Sequence, residues 1–127
     1  MPALRIGLMI SLICVFSAMF YFAAIDNSPL PYHPKVDGWN DLVLHVGAFA
    51  VLTAVALLIW PLSWILVLIL LLAGCLMELV QLFVPSREVD LLDVIANASG
   101  IFLGCALIIS ARWLIDRAVG DHAKSEQ

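Results

Sequence analysis

Charge is what this chain has least of. Lysine and arginine together number 6, aspartate and glutamate 10, in 127 residues. The six cations are scattered, so no basic stripe exists for nucleic acid, and a nucleic-acid partner is excluded. Cysteine is nearly as scarce. Cys14, Cys75 and Cys105 each stand alone inside an apolar run, with no CxxC and no Cys/His cluster. They read as small packing residues rather than disulfide partners or zinc ligands. No internal repeat, no low-complexity stretch and no serine in a recognisable nucleophile setting is present. What remains is apolar: 64% of residues are hydrophobic and the mean hydropathy is +1.08. A soluble domain this small leaves too much surface exposed to hide so much hydrocarbon. Lipid must be the solvent for most of the chain, and one compact membrane domain is the natural count.

A membrane helix needs about 20 mainly apolar residues. Four runs qualify: residues 4–25, 42–60, 62–84 and 92–115. The expected fold is therefore all-α, an integral membrane four-helix bundle spanning residues 1–115, followed by a polar tail over 116–127. The first run follows Arg5 as a signal peptide would. Its apolar part exceeds the roughly 7–15 residues of such a segment. Phe22 also stands where cleavage after Ala24 would want a small residue. It reads as an uncleaved anchor. Pro29, Pro31, Pro34 and Gly38 mark residues 26–40 as a long loop. Residues 60–63 form a tight turn, residues 85–91 a short charged connection, and the tail is expected to be disordered.

Four spans place both termini on one side. That side holds Arg5, Arg112, Arg117 and Lys124; the other holds Lys35 and Arg87. The positive-inside rule then puts both termini in the cytoplasm of a cell whose plasma membrane the protein crosses several times. Trp60, Trp64 and Trp113 fall at the cytoplasmic interface, and Trp39, Tyr32 and Tyr21 at the outer one, as an aromatic belt would.

Against this background the few polar residues stand out. Asp41 and His45, four apart, share a face at the start of the second span. Glu78 and Gln81 share a face near the end of the third, with Glu78 about 10 Å below Pro85 if the helix runs that far. Asp90, Asp93 and Asn97 form one stripe at the start of the fourth. By the assigned orientation all three faces meet in the outer leaflet. An ionisable group in lipid is expensive unless paired or facing a wet cavity, so one shared pocket is the expected arrangement. Arg87, in the loop above, could fork onto a carboxylate or a phosphate. Ala96, Gly100 and Gly104 continue the fourth-span stripe and let another helix approach closely.

This ordered set resembles the VanZ-like membrane proteins. Their pattern opens one span with Asp-(Lys)-x-x-His and closes another with Glu-x-x-Gln. A Pro-Gly-Arg-type loop follows, then Asp-x-x-Asp and Asn-x-x-Gly. Here these are Asp41 and His45, Glu78 and Gln81, Pro85-Ser86-Arg87, Asp90 and Asp93, and Asn97 with Gly100 and Gly104. The likeness runs over about residues 41–104. Leu42 stands where many members carry Lys, and Ser86 where the loop Gly is usual. The resemblance implies a cell-envelope role, since founding members are linked to low-level resistance to the glycopeptide teicoplanin.

Three readings of the polar cluster are open at this point. It could bind a membrane lipid, a lipid-linked envelope precursor or a glycopeptide through Asp41, His45, Glu78, Gln81, Arg87, Asp90, Asp93 and Asn97. It could be catalytic, with Asp41 and His45 forming an oriented base and Glu78 a proton donor. In a second catalytic form, His45, Glu78 and Asp93 hold a divalent metal for hydrolysis of an envelope phosphate. It could also be structural: Glu78 a neutral acid bonded to Gln81 or Asn97, Asp90 a helix cap, Asp93 a first-turn acid. Binding is favoured slightly over catalysis.

Overall fold

The computed structural model describes residues 2–25, 34–85 and 90–125, with side chains for 2–25, 41–85 and 90–121. Four helices account for almost all of it: α1 Pro2–Ala24, α2 Pro34–Ile59, α3 Trp64–Gln81 and α4 Leu91–Ser125. Each contains a stretch long and apolar enough to cross a membrane, and no strand occurs among the described residues. A helix satisfies its own backbone polar groups, which a lipid solvent demands. Large apolar side chains cover the outside: Phe83, Phe102 and Trp64 are each at least 75% exposed. Such a surface is expected of a multi-pass membrane protein and would be an aggregation hazard in water.

The ends of the helices follow local chemistry. Proline at the first helical position has the right φ and an N–H that would be unpaired anyway. Accordingly α2 starts at Pro34, and residues 34–40 are helical rather than part of a loop. Pro61 stops α2, and Ser63 starts α3 by accepting a hydrogen bond from the Leu66 N–H at 3.2 Å. Helix α3 closes at Gln81, where Leu82, Phe83 and Val84 tighten into turns. Glu78 therefore lies only three residues inside the helix end, about 4.5 Å. That is shallower than a helix running on to residue 84 would place it. Asp90 caps α4, its Oδ1 accepting from the Leu92 N–H at 3.0 Å. At the other end α4 continues through the stretch that reads as a disordered tail, reaching Ser125. Its 35 residues measure roughly 52 Å, well beyond a hydrocarbon core of about 30 Å.

Helix α2 is central. Phe49, Thr53 and Leu57, four apart on one face, are the most deeply buried side chains. Helices α2 and α4 run parallel: Gly100 meets Val46, Phe49 and Ala50, and Gly104 meets Ala50 and Thr53. A Cβ on Gly100 would collide with the Val46 carbonyl, and one on Gly104 would come within 2.6 Å of the Ala50 carbonyl oxygen. The glycines thus bring the two backbones together, as small residues do in lipid, where packing rather than hydrophobicity drives association. Helix α1 is peripheral. It buries Met19 and Ala23 and lays Leu12, Val15 and Phe16 against the α2–α3 core. Cys14 and Cys75 face outward and Cys105 is half-buried; all three are free.

The end of the bundle where α2 finishes is held by arginines from its neighbours. Arg112 of α4 donates to the Leu57 carbonyl, and Arg5 of α1 donates to the Ile59 carbonyl at 3.5 Å. They supply donors to carbonyls that Pro61 leaves without a following helical turn. Arg117 rests over the Trp113 ring at 5.1 Å from its centroid. The opposite end, where α2 and α4 begin and α3 finishes, carries the polar cluster.

Candidate functional site

The cluster is organised around Asn97. Its Nδ2 donates to Glu78 Oε1 at 3.0 Å, and its Oδ1 accepts from the His45 Nδ1–H at 2.7 Å. One amide thereby joins α2, α3 and α4. Because Asn97 presents its oxygen to Nδ1, the imidazole proton sits there, and Nε2 is left with a lone pair in the neutral ring. Glu78 Oε1 is also 3.7 Å from His45 Nδ1. The local fold permits this crowding. Gly74, one turn before Glu78, has no side chain, so Asn97 and Phe49 close to within about 3.3–3.4 Å of where its Cβ would be.

Burial is nearly complete. His45, Glu78, Gln81, Asp93 and Asn97 are all buried, Glu78 to 4% exposure and Asn97 to 2%. Asp41 is half-buried at the mouth. Asp41, His45 and Asp93 each place a potential ligand atom within 4.8 Å of the others. Asp41 and Asp93 also take part in further polar or electrostatic interactions. They lie near enough to Glu78 to act on it electrostatically. One atom breaks the pattern: Glu78 Oε2 is buried without a hydrogen-bond partner among the described residues.

The structure brings together five of the eight residues singled out from sequence, Asp41, His45, Glu78, Asp93 and Asn97, and buries a sixth, Gln81, on α3. Asp90 does not join them; its side chain is exposed and engaged in capping α4. Arg87 lies outside the described residues, as do Ser86 and the side chain of Lys35. The triplet that could share a metal also differs from the expected one. Asp41 stands with His45 and Asp93, whereas Glu78 is bonded on the Asn97 side. The imidazole Nδ1 is held by Asn97, which sequence spacing does not pair with it.

Sequence reading passes over Thr53. It is fully buried, its hydroxyl lacks a partner among the described residues, and it lies two turns below His45 on the same face of α2. The i, i+8 spacing from His45 was the available signal. Reading Arg5 and Arg112 only as topology markers likewise misses their bonds to the α2 carbonyls.

A second feature is an open apolar cleft of about 630 Å³ between α1, α2 and α3. Leu12, Phe16, Leu52, Trp60, Leu66 and Leu70 are among its walls. It lies toward the arginine end, past the level of Phe49.

No curated protein and no solved structure matches the chain. A family profile described as VanZ/LLP1 does match, over residues 6–114. The match takes in α1 as well as the three helices that build the cluster, and so extends well beyond the motif-bearing residues 41–104. With most of its length so covered, this four-helix membrane protein belongs to the VanZ/LLP1 family.

Proposed function

We propose that the protein binds an amphiphilic or lipid-linked molecule of the cell envelope, its headgroup meeting the polar cluster in the outer leaflet of the plasma membrane. The observation that carries this reading is the incomplete Glu78–Asn97–His45 relay. A network serving only to register helices is expected to satisfy its own members. Glu78 Oε2, buried and unpartnered, is instead an acceptor waiting for a donor. In this reading Gln81 presents its amide to the headgroup, Asn97 holds Glu78 and His45 in place, and Arg87, outside the described residues, is the cation for a phosphate or carboxylate. The apolar cleft along α1–α3 suits a hydrocarbon chain, as lipid-binding sites are mainly apolar with a few placed polar groups. Glycopeptides of the teicoplanin type are among the molecules the family's founding members bring into view.

The test is native mass spectrometry of protein extracted gently from its own membrane, beside Glu78→Gln and Arg87→Ala. The expected result is a lipid or envelope precursor retained by the wild type and lost by both variants. Three folded proteins carrying the same bulk lipids would remove the site.

A second reading, hydrolysis of an envelope phosphate, draws on the gathering of Asp41, His45 and Asp93. Its test is phosphate release from lipid pyrophosphates in mixed micelles, which His45→Gln should abolish. Equal and negligible release by both proteins would dismiss it.

A further inference from the structure

We infer that Asp41, His45 and Asp93 form a site for one divalent cation of the zinc or manganese class. The argument begins with donor chemistry. An imidazole nitrogen and two carboxylates suit borderline zinc and are open to manganese through the carboxylates, whereas calcium and magnesium prefer oxygen alone. The ligand atoms lie within 4.8 Å of one another. Donors around a four-coordinate ion with bonds of about 2.0–2.1 Å stand about 3.4 Å apart, so side-chain rotation is enough to close them. Three protein ligands leave at least one position open to water or an anionic headgroup, the pattern of working rather than structural sites.

His45 is already prepared as a ligand. Metal-bound histidines characteristically donate their other ring N–H to a carbonyl or carboxylate, which fixes the tautomer and aims the lone pair. Asn97 Oδ1 accepts that proton at 2.7 Å, and Glu78 in turn holds Asn97 at 3.0 Å.

The independent pointer is Glu78 Oε2. Glu78 is only 4% exposed and lies within electrostatic reach of Asp41 and Asp93; its Oε1 is 3.7 Å from His45 Nδ1, while Oε2 has no donor among the described residues. A carboxylate oxygen buried without a donor at the edge of a lipid core calls for a donor or a positive charge beside it. The described arginines, Arg5, Arg112 and Arg117, are at the opposite end of the bundle. A divalent cation on Asp41, His45 and Asp93 supplies both, with Oε2 accepting from a water on the ion.

The site does not depend on the amphiphile, so its test uses delipidated, tag-free full-length protein in detergent. The protein is stripped with chelator, then titrated separately with Zn²⁺ and Mn²⁺. Bound metal is counted by mass spectrometry, and the Mn²⁺ environment is read by electron paramagnetic resonance. One equivalent per chain is expected, with at least tenfold weaker binding in His45→Gln, Asp93→Asn and Asp41→Asn. Asp41 is half-buried, so Asp41→Asn carries the test should a more buried substitution fail to fold. Asn97 acts through His45; Asn97→Ala should weaken binding about 10–100-fold while keeping one equivalent. Absence of stoichiometric uptake of either ion by the wild type would overturn the site. So would uptake that the folded Asp41→Asn variant leaves unchanged. Either failure leaves the retention of an amphiphile as a separate question.

Discussion

At the scale of single residues, one asparagine decides whether three helices share a site. Removing its side chain strands a histidine donor on one helix and a carboxylate acceptor on another. Asn97→Leu should therefore cost about 1–3 kcal/mol, given the modest worth of interhelical hydrogen bonds in lipid and the penalty for unpaired buried groups. Unfolding in mixed micelles measures it, and a variant as stable as wild type would show that the bonds contribute nothing. The contrasting residue is Asp90. The i, i+3, i+7 spacing groups it with Asp93 and Asn97 in one stripe. A residue before the first helical turn is not yet on that stripe, and its carboxylate goes to the Leu92 N–H instead. Asp90→Ala should fray the start of α4 and cost about 1 kcal/mol. Metal uptake and ligand retention in folded Asp90→Ala should match wild type.

At the scale of elements, α2 and α4 are the pair on which the cluster depends. Their contact is made by Gly100 and Gly104, where an added Cβ meets backbone carbonyls that cannot swing aside. Gly100→Ala should cost about 1–3 kcal/mol by forcing the helices apart. Gly47→Ala, one helix over and open on all sides, should stay within about 1 kcal/mol of wild type. Thermal unfolding of the two variants side by side gives the comparison, and equal melting temperatures would deny the close packing. Much of this was legible in the sequence. Four apolar runs gave four helices, because lipid leaves the backbone little alternative. Small residues every four positions marked a face for close approach. Which helix would fill that face was not legible, since spacing describes one helix at a time. Helix ends were misjudged at both extremes. Pro34 begins a helix instead of breaking one, and α4 outlasts its apolar stretch. Proline is compatible with a first turn, and polar residues outside lipid can still be helical.

At the scale of the whole molecule, the two ends of the bundle differ in kind. One is fastened by Arg5 and Arg112 on the carbonyls of α2; the other gathers acids, an imidazole and amides. Residues 111–121 of α4 are exposed throughout, so the extension past Arg117 adds no packing among the described residues. Deleting residues 118–127 should leave the melting temperature unchanged, and a clear drop would reveal contacts that the isolated chain does not make. Orientation is checked by single cysteines placed in a cysteine-free background. An impermeant maleimide added to intact cells should label Ser86→Cys and spare Ser125→Cys; the reverse result would invert the topology. The Asn97-centred relay has a consequence for the order of synthesis. His45 and Asn97 are 52 positions apart, and Asn97 follows Glu78 by 19. A ribosome delivers α2 and α3 as a hairpin joined by a four-residue connection before α4 exists. During that interval His45 and Glu78, 3.7 Å apart in the finished fold, have Asp41 and Gln81 for company but neither Asn97 nor Asp93. Helix α4 thus arrives with the amide that joins what α2 and α3 can only bring near each other.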